Sequence, residues 1–406
     1  MKQAVYHHWI LFVTNTYYSL WFAAATSQPV LPPAVVVVVV TKRPVVQVSY
    51  NDLEQFATSS SATTPSGETR KHEELVNAIG HAFGPDGLGL LEVTDIPPSM
   101  VALRAKLLPM AKQLANLPAT ELMEITRPDT SYSIGWSHGR EQFKGKYDIA
   151  KGSFYMDPFR PNSNVYPVSM QPELERCLVE MTHFMSKVGL WITKLCDCYL
   201  DQQDESHHDH RPSMQRSLFQ TLESSTNAKA RLLHYFPASS SSIQQAKSEM
   251  ELSSFSDWCG WHTDHGSLTA LLPGLCLEDT KKTGTTSSSS YTNHDATLAP
   301  GLYIQTRSND LVHVRLSSTS LGFQIGETMS IQSHGRLQAT PHAVKAGSSH
   351  LSRESLAVFL QPEPNEVLPP LTQPCVGEHH EDPNSLARRW RPTFGEFQQA
   401  TIQSYK

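Results

Sequence analysis

The stretch Gly260-Trp261-His262-Thr263-Asp264-His265-Gly266 decides how the rest of the chain is read. It sets an imidazole and a carboxylate two residues apart, and on an extended strand residues i and i+2 project from one face. His262 and Asp264 are therefore placed to grip a single metal ion. A second imidazole, His342, stands in Ala339-Thr340-Pro341-His342-Ala343-Val344. Two histidines and one carboxylate make a facial triad that leaves several positions open on Fe(II), which suits oxygen chemistry. A His-x-Asp arises often by chance, so the features that follow it carry the weight.

Eleven residues beyond His342 comes Arg353-Glu354-Ser355, which opens the apolar run Leu356-Ala357-Val358-Phe359-Leu360 and is closed by Pro362. On a strand Arg353 and Ser355 share a face, so a guanidinium and a hydroxyl can bind one carboxylate, the guanidinium bidentately.

Taken in order, six segments resemble the iron- and 2-oxoglutarate-dependent dioxygenases, in the branch of isopenicillin N synthase and the plant flavonoid and hormone oxygenases. They are Arg231-Leu232-Leu233-His234-Tyr235-Phe236-Pro237, Trp261-His262-Thr263-Asp264, Gly301-Leu302-Tyr303-Ile304, Ile325-Gly326-Glu327, His342-Ala343-Val344 and Arg353-Glu354-Ser355. The resemblance runs from about Val45 to Pro364 and is specific only as a set. It implies an α+β, mainly β fold: a double-stranded β-helix, or jelly roll, with N-terminal and supporting helices. It also implies that His262, Asp264 and His342 ligate Fe(II), and that Arg353 and Ser355 hold the distal carboxylate of 2-oxoglutarate. The implied reaction consumes O2 and 2-oxoglutarate, releases succinate and CO2, and hydroxylates or desaturates a small organic metabolite; ascorbate is an optional reductant.

Two departures from the family pattern stand out. Where the better-known plant members carry Asn-Tyr-Tyr-Pro, this chain has His234-Tyr235-Phe236-Pro237. Phe236 lacks the hydroxyl that commonly assists the cosubstrate; Tyr235 and His234 are the neighbouring substitutes, and neither is assigned as a ligand. The spacing from Asp264 to His342 is also long, and the polar insertion at 283–290 accounts for the excess.

Composition narrows the alternatives. The 406 residues carry 33 Lys and Arg against 39 Asp and Glu, a net charge of −6, so there is no basic footprint for a phosphate backbone and nucleic acid is not the expected partner. Six cysteines without a CxxC pair fit neither a disulfide scaffold nor a zinc ribbon. Cys196 and Cys198, at the end of an apolar helical pattern, are read as packing residues. The expected partner is a small molecule, the expected state a monomer without stable membrane insertion.

Residues 1–43 read as a leader and linker. An apolar stretch at 9–25 ends in Ala23-Ala24-Ala25, as a cleavable leader does, but Thr14, Asn15 and Thr16 break it, so an irregular extension fits equally and a membrane span does not. Location is accordingly cytoplasmic, or organellar or secretory if residues 1–26 are removed. The Val run at 35–40 reads as linker or irregular strand. Residues 44–165 form the expected N-terminal region, with a strand at Val45-Val46-Gln47-Val48, helices over 69–83 and 97–117, and a short strand at 87–93 between them. Residues 166–229 are scaffold helices, dominated by the periodic stretch 172–200. Residues 230–365 form the β core, with strands expected at 231–236, 267–272, 301–305, 312–316, 328–331 and 356–360; Ser-rich tracts at 239–242 and 283–290 read as surface loops. Residues 366–406 are a C-terminal extension.

Other polar clusters compete for attention among 19 histidines. His265 is read as a neighbour of the metal site and not a ligand, and His207-His208-Asp209-His210 as a solvated loop. Trp136, His138, Lys151 and Tyr155 are candidate substrate contacts, weighed against ordinary loop packing. Two further functional classes remain: a noncatalytic ligand-binding or sensing protein on the same fold, and an iron oxidase that does not use 2-oxoglutarate. A zinc hydrolase is disfavoured by the lack of an identifiable general base.

Overall fold

Steps of three and four along Glu173–His207 line up Leu174, Leu178, Met181, Met185, Val188, Ile192 and Leu195, and every one of these side chains is fully buried. Each such side chain removed from water contributes about 1.5–3 kcal/mol, so the helix is held by packing its stripe on a sheet. Gly189 allows the close approach: a side chain there would meet Leu360 at 2.5 Å.

The structure, a computed structural model, describes residues 40–41, 43–59, 66–143, 146–207, 216–238, 258–278, 299–347, 350–372 and 385–404. All of these belong to one compact unit, Val37–Lys406. The leader, most of the Val run, the tracts at 239–242 and 283–290, and His208-Asp209-His210 lie outside the described residues.

The strands are β1 (Val40–Thr41), β2 (Val46–Ser49), β3 (Leu90–Thr94), β4 (Gly135–His138), β5 (Gln142–Phe143), β6 (Lys146–Tyr147), β7 (Lys151–Met156) and β8 (Lys229–Tyr235). They continue as β9 (Cys259–His262), β10 (Leu268–Leu271), β11 (Leu275–Glu278), β12 (Gly301–Gln305), β13 (Leu311–His313), β14 (Leu321–Ile325), β15 (His342–Lys345) and β16 (Leu351–Leu360). The helices are α1 (Tyr50–Thr58), α2 (Ser66–Phe83), α3 (Pro98–Ala115), α4 (Ala119–Glu124), α5 (Glu173–His207), α6 (Leu218–Glu223), α7 (Glu327–Gln332), α8 (Leu386–Arg389) and α9 (Phe394–Ser404).

Among the described residues the strands make two main mixed sheets. One runs β1-β13-β12-β15-β9; the other runs β2-β3-β14-β10-β16-β8-β7-β4, with β11 also on β16. Strands from 44–165 and from 230–365 thus enter the same large sheet. Alternation along β16 and β8 sorts the two faces of that sheet. Leu356, Val358, Leu360, Ala230 and Leu232 join the core under α2, α3 and α5, while Arg353, Ser355, Ala357, Arg231, Leu233 and Tyr235 face a cavity shared with the smaller sheet. No described helix is long and apolar enough to cross a membrane.

The segment 328–331 is a correction. It was expected to be a strand, and it lies inside α7, whose residues Glu327–Gln332 are all buried. A short run enclosed on every side shows no polar period, so strand and helix cannot be told apart by pattern. The strand of this region is β14, immediately before it. The 87–93 strand begins later than expected, at Leu90, because Gly89 takes a left-handed turn with φ +65°. Strands β4 and β7, and helix α1, were not anticipated.

Candidate metal and anion site

His262 and His342 stand directly opposite each other on the antiparallel pair β9 and β15, with ring centroids 4.3 Å apart. This is where the sequence expectation needs adjusting: β9 ends at His262, so Asp264 comes from the turn that follows and not from the same strand. The turn still brings its carboxylate inward. Asp264 Oδ1 is 3.8 Å from His262 Nε2 and 3.9 Å from His342 Nε2, and one ligand atom from each residue lies within 4.8 Å of the others. Among the described residues this is the group of His, Cys, Asp and Glu side chains arranged to hold a metal ion.

Hydrogen bonds on the far side of each ligand select the metal-binding form. His262 Nδ1 is 2.7 Å from Gly260 O, so Nδ1 carries a proton and Nε2 is the nitrogen left to serve as a ligand once its own proton is displaced by a metal. His342 Nδ1 is 3.2 Å from Thr340 O and 2.7 Å from Gln324 Nε2, while Gln324 Oε1 is buried without a partner; exchanging the amide's oxygen and nitrogen would let Gln324 accept from the Nδ1–H that Thr340 O also accepts. Thr269 Oγ1 donates to Asp264 Oδ2 at 2.6 Å, which leaves Oδ1 facing the imidazoles. Partners of this kind orient metal ligands and fix their tautomers.

The electrostatics fit a cation. Burial works against charge on His262, yet Cys259 and Asp264 outweigh it and push the imidazole up to about 9. Burial and the His262 charge push His342 down. Burial would raise Asp264, but the two histidines hold it below its usual range.

The same cavity, about 320 Å3, reaches Arg353 and Ser355. Arg353 Nη1 donates to Ser355 Oγ at 3.3 Å, and its Cζ lies 5.2 Å from the Tyr235 ring, its cross-strand neighbour. Of the three other cationic residues lining the cavity two are neutralised: Arg231 donates to both Glu141 oxygens at 2.8 and 2.9 Å, and Lys151 pairs with Asp148; Arg315 lines the cavity as well, on the segment after β13 and away from Ser355 in the chain. Arg353 has no carboxylate partner among the described residues, so its guanidinium is available to an anion.

Tyr235 is the residue that pattern reading left unassigned. It lines the cavity opposite Arg353, whereas His234 turns to the other face, where Nδ1 lies 2.9 Å from buried Glu354, and Phe236 packs edge-on to His234. Strand alternation, counted from Ser355 across to Leu233, would have singled out Tyr235. Of the four candidate substrate contacts only Lys151 borders the cavity; Trp136 is buried, His138 Nε2 lies 3.1 Å from Ile149 O, and Tyr155 donates to Glu141. His265 sits behind the site beside Phe394 and Gln398, outside the triad. Cys196 is fully buried in the core and Cys198 packs against it, as expected.

No family model matches the chain. It is 40% identical over 72 residues to feruloyl CoA ortho-hydroxylase 2 of Arabidopsis thaliana, covering 18% of this chain and 19% of that protein. An Ipomoea batatas feruloyl CoA ortho-hydroxylase is 34% identical over 74 residues, covering 18% and 20%. The match therefore spans about a fifth of the length of these curated relatives. Solved structures align over far more. A 2OG-Fe(II) oxygenase family protein from Caulobacter crescentus gives a TM-score of 0.55 at 18% identity, covering 88% of this chain and 98% of that one. The rice dioxygenase for auxin oxidation gives 0.54 at 16%, covering 89% and 96%, and JOX2 in complex with 2OG, Fe and JA gives 0.53 at 16%, covering 89% and 98%.

The fold is that of the 2OG-Fe(II) oxygenases. Within this fold His262, Asp264 and His342 come from the small sheet and the residues that follow β9, and Arg353 and Ser355 from the large sheet.

Proposed function

We propose that this protein is an Fe(II)- and 2-oxoglutarate-dependent dioxygenase that hydroxylates or desaturates a small organic metabolite, with release of succinate and CO2. The observation that carries the reading is one cavity with a two-histidine, one-carboxylate cluster at one end and a guanidinium without a carboxylate partner at the other. On this reading the two main sheets are the halves of a double-stranded β-helix.

His262, Asp264 and His342 would hold the iron, whose donor set of two neutral imidazoles and one carboxylate suits Fe(II) with open positions. Bound there, iron supplies the O2 activation that C–H oxidation requires. The remaining work belongs to side chains. Arg353 and Ser355 bind the distal carboxylate of 2-oxoglutarate, and the Tyr235 ring, 5.2 Å from the Arg353 guanidinium, walls the same part of the cavity. Leu233, Leu271, Leu302 and Val344 line the intervening wall and exclude water.

Anaerobic titration with Fe(II), with and without 2-oxoglutarate, tests this in wild type and Arg353→Ala. The expected result is a visible charge-transfer band that needs far more 2-oxoglutarate in the variant. Bound iron with no band at any 2-oxoglutarate concentration would reject the cosubstrate and favour the oxidase or the noncatalytic binding protein.

A further inference from the structure

Thr263 stands between two triad residues and turns its hydroxyl away from the cavity, donating to Glu327 Oε1. Glu327, at the start of α7, is 5% exposed. Arg389, the last residue of α8 and 4% exposed, grips it with both arms: Nη1 to Oε2 at 2.7 Å and Nη2 to Oε1 at 2.6 Å. The same guanidinium donates to Thr401 Oγ1 at 2.9 Å and lies 5.7 Å from the Phe397 ring, both on α9. A continuous hydrogen-bonded path thus runs from the C-terminal helices to the residue between His262 and Asp264.

Independent contacts follow the same route. Glu327 N–H donates to Asp264 O at 2.7 Å, and Thr328 Oγ1 donates to His265 O at 2.6 Å. Gln398 on α9 lies 3.1 Å from His265, and Phe394 stacks on the same ring. The C-terminal helices are anchored in turn: Phe394 and Phe397 are fully buried against Ile331 and Leu368. Gly326 lets α7 come close to the loop, since a side chain there would meet Gly266 O at 2.1 Å.

A wholly buried ion pair returns little net stability compared with apolar filling. Outer hydrogen-bond partners, by contrast, strongly affect how metal ligands are oriented. We propose that Arg389 and Glu327 are positioning residues: through Thr263 the C-terminal helices hold the His262–Asp264 turn in its metal-binding conformation. The inference rests on reading His262, Asp264 and His342 as the metal triad.

The test uses the full chain, freed of metal and titrated anaerobically with Co(II), whose visible absorption reports ligand geometry. Arg389→Met and Thr263→Val are each expected to weaken Co(II) binding roughly ten- to a hundredfold and to alter the absorption band. Thr263→Val leaves the Arg389–Glu327 pair intact, so its metal-free thermal midpoint should stay near that of wild type, and it decides the matter if Arg389→Met does not fold. Arg389→Lys should recover part of the lost affinity. A purely structural role predicts a lower midpoint for Arg389→Met with unchanged Co(II) affinity and spectrum in both variants, and that result overturns the proposal. The metal reading fails separately: wild type that takes up no Co(II), or uptake indifferent to His342→Ala, would remove the triad and the clamp together.

Discussion

The two ends of the cavity are held by different means. Arg353 and Ser355 lie within the ten-residue strand β16, where the ladder to β8 pairs both, Arg353 with Tyr235 and Ser355 with Leu233, and Arg353 is paired on its other side with Cys276 of β11. His262 instead closes a four-residue strand, Asp264 lies beyond it, and the β9–β15 register breaks between His342 and Val344. The anion end inherits its geometry from the sheet. At the metal end the ladders hold His342, paired with both His262 and Ile304, but Asp264 lies outside them and the side chains are oriented by single contacts with Gly260, Thr269, Gln324 and Thr340. The two halves of the site should therefore fail independently, and the metal half should be the more sensitive to substitutions outside the cavity.

The strongest break is His342→Ala. Two donors of the triad cannot retain the ion as three do, so Fe(II) affinity should fall by more than about a hundredfold, the loss exceeding that from outer partners. Equilibrium dialysis measures it, and a thermal midpoint near wild type would show that the sheets persist. Iron retained at wild-type affinity would remove His342 from the site. Next comes Arg353→Lys, which keeps the charge and loses the planar fork. The 2-oxoglutarate concentration for half-saturation should rise about tenfold, or about 1.4 kcal/mol, while Fe(II) affinity stays put. A parallel loss of iron would show that the two ends are coupled and contradict the comparison.

The same contrast explains what the sequence made legible. Long periodic stretches gave α2, α3 and α5, because their apolar stripes meet one core. The His262–Asp264–His342 cluster was legible from motif order, which survives any loop insertion, although Asp264 lies past the strand that alternation assumed; the Arg353–Ser355 pair was legible from strand alternation itself. What escaped depends on contacts between segments far apart in sequence. Thr269 acts on Asp264 only because the chain turns back, Gln324 reaches His342 from β14, and Arg389 reaches Glu327 from α8. The same holds for α7, whose complete burial erased the pattern that distinguishes helix from strand. Tyr235 was readable in principle, and was missed because the comparison with Asn-Tyr-Tyr-Pro drew attention one residue too far, to Phe236.

Thr269→Val probes the metal end without touching a ligand. It removes the donor at 2.6 Å from Asp264 Oδ2 and frees the carboxylate to rotate, so Fe(II) affinity should drop roughly tenfold. 2-Oxoglutarate binding, measured once iron is saturating, should be unchanged. An unaltered iron affinity would mean that the turn alone fixes Asp264, and the metal end would then be as rigid as the anion end.

The smallest expected effect sharpens the opposite end. Gly274, beside β11, packs against the Arg353 side chain: a methyl group there would lie 2.5 Å from Nε and 2.7 Å from Cζ. The obstacle is the movable end of a side chain and not backbone, so Gly274→Ala should fold, with the guanidinium displaced by a few tenths of an ångström or swung toward Tyr235. A displaced fork makes poorer bidentate contact, and half-saturation by 2-oxoglutarate should rise about three- to fivefold, under 1 kcal/mol. Iron binding should not change, because no hydrogen bond of the triad passes through Gly274. Wild-type 2-oxoglutarate affinity in this variant would mean that Arg353 tolerates displacement, so that the carboxylate is positioned chiefly by Ser355 and Tyr235; the sheet would then fix the anion through its short side chains and not through the long one.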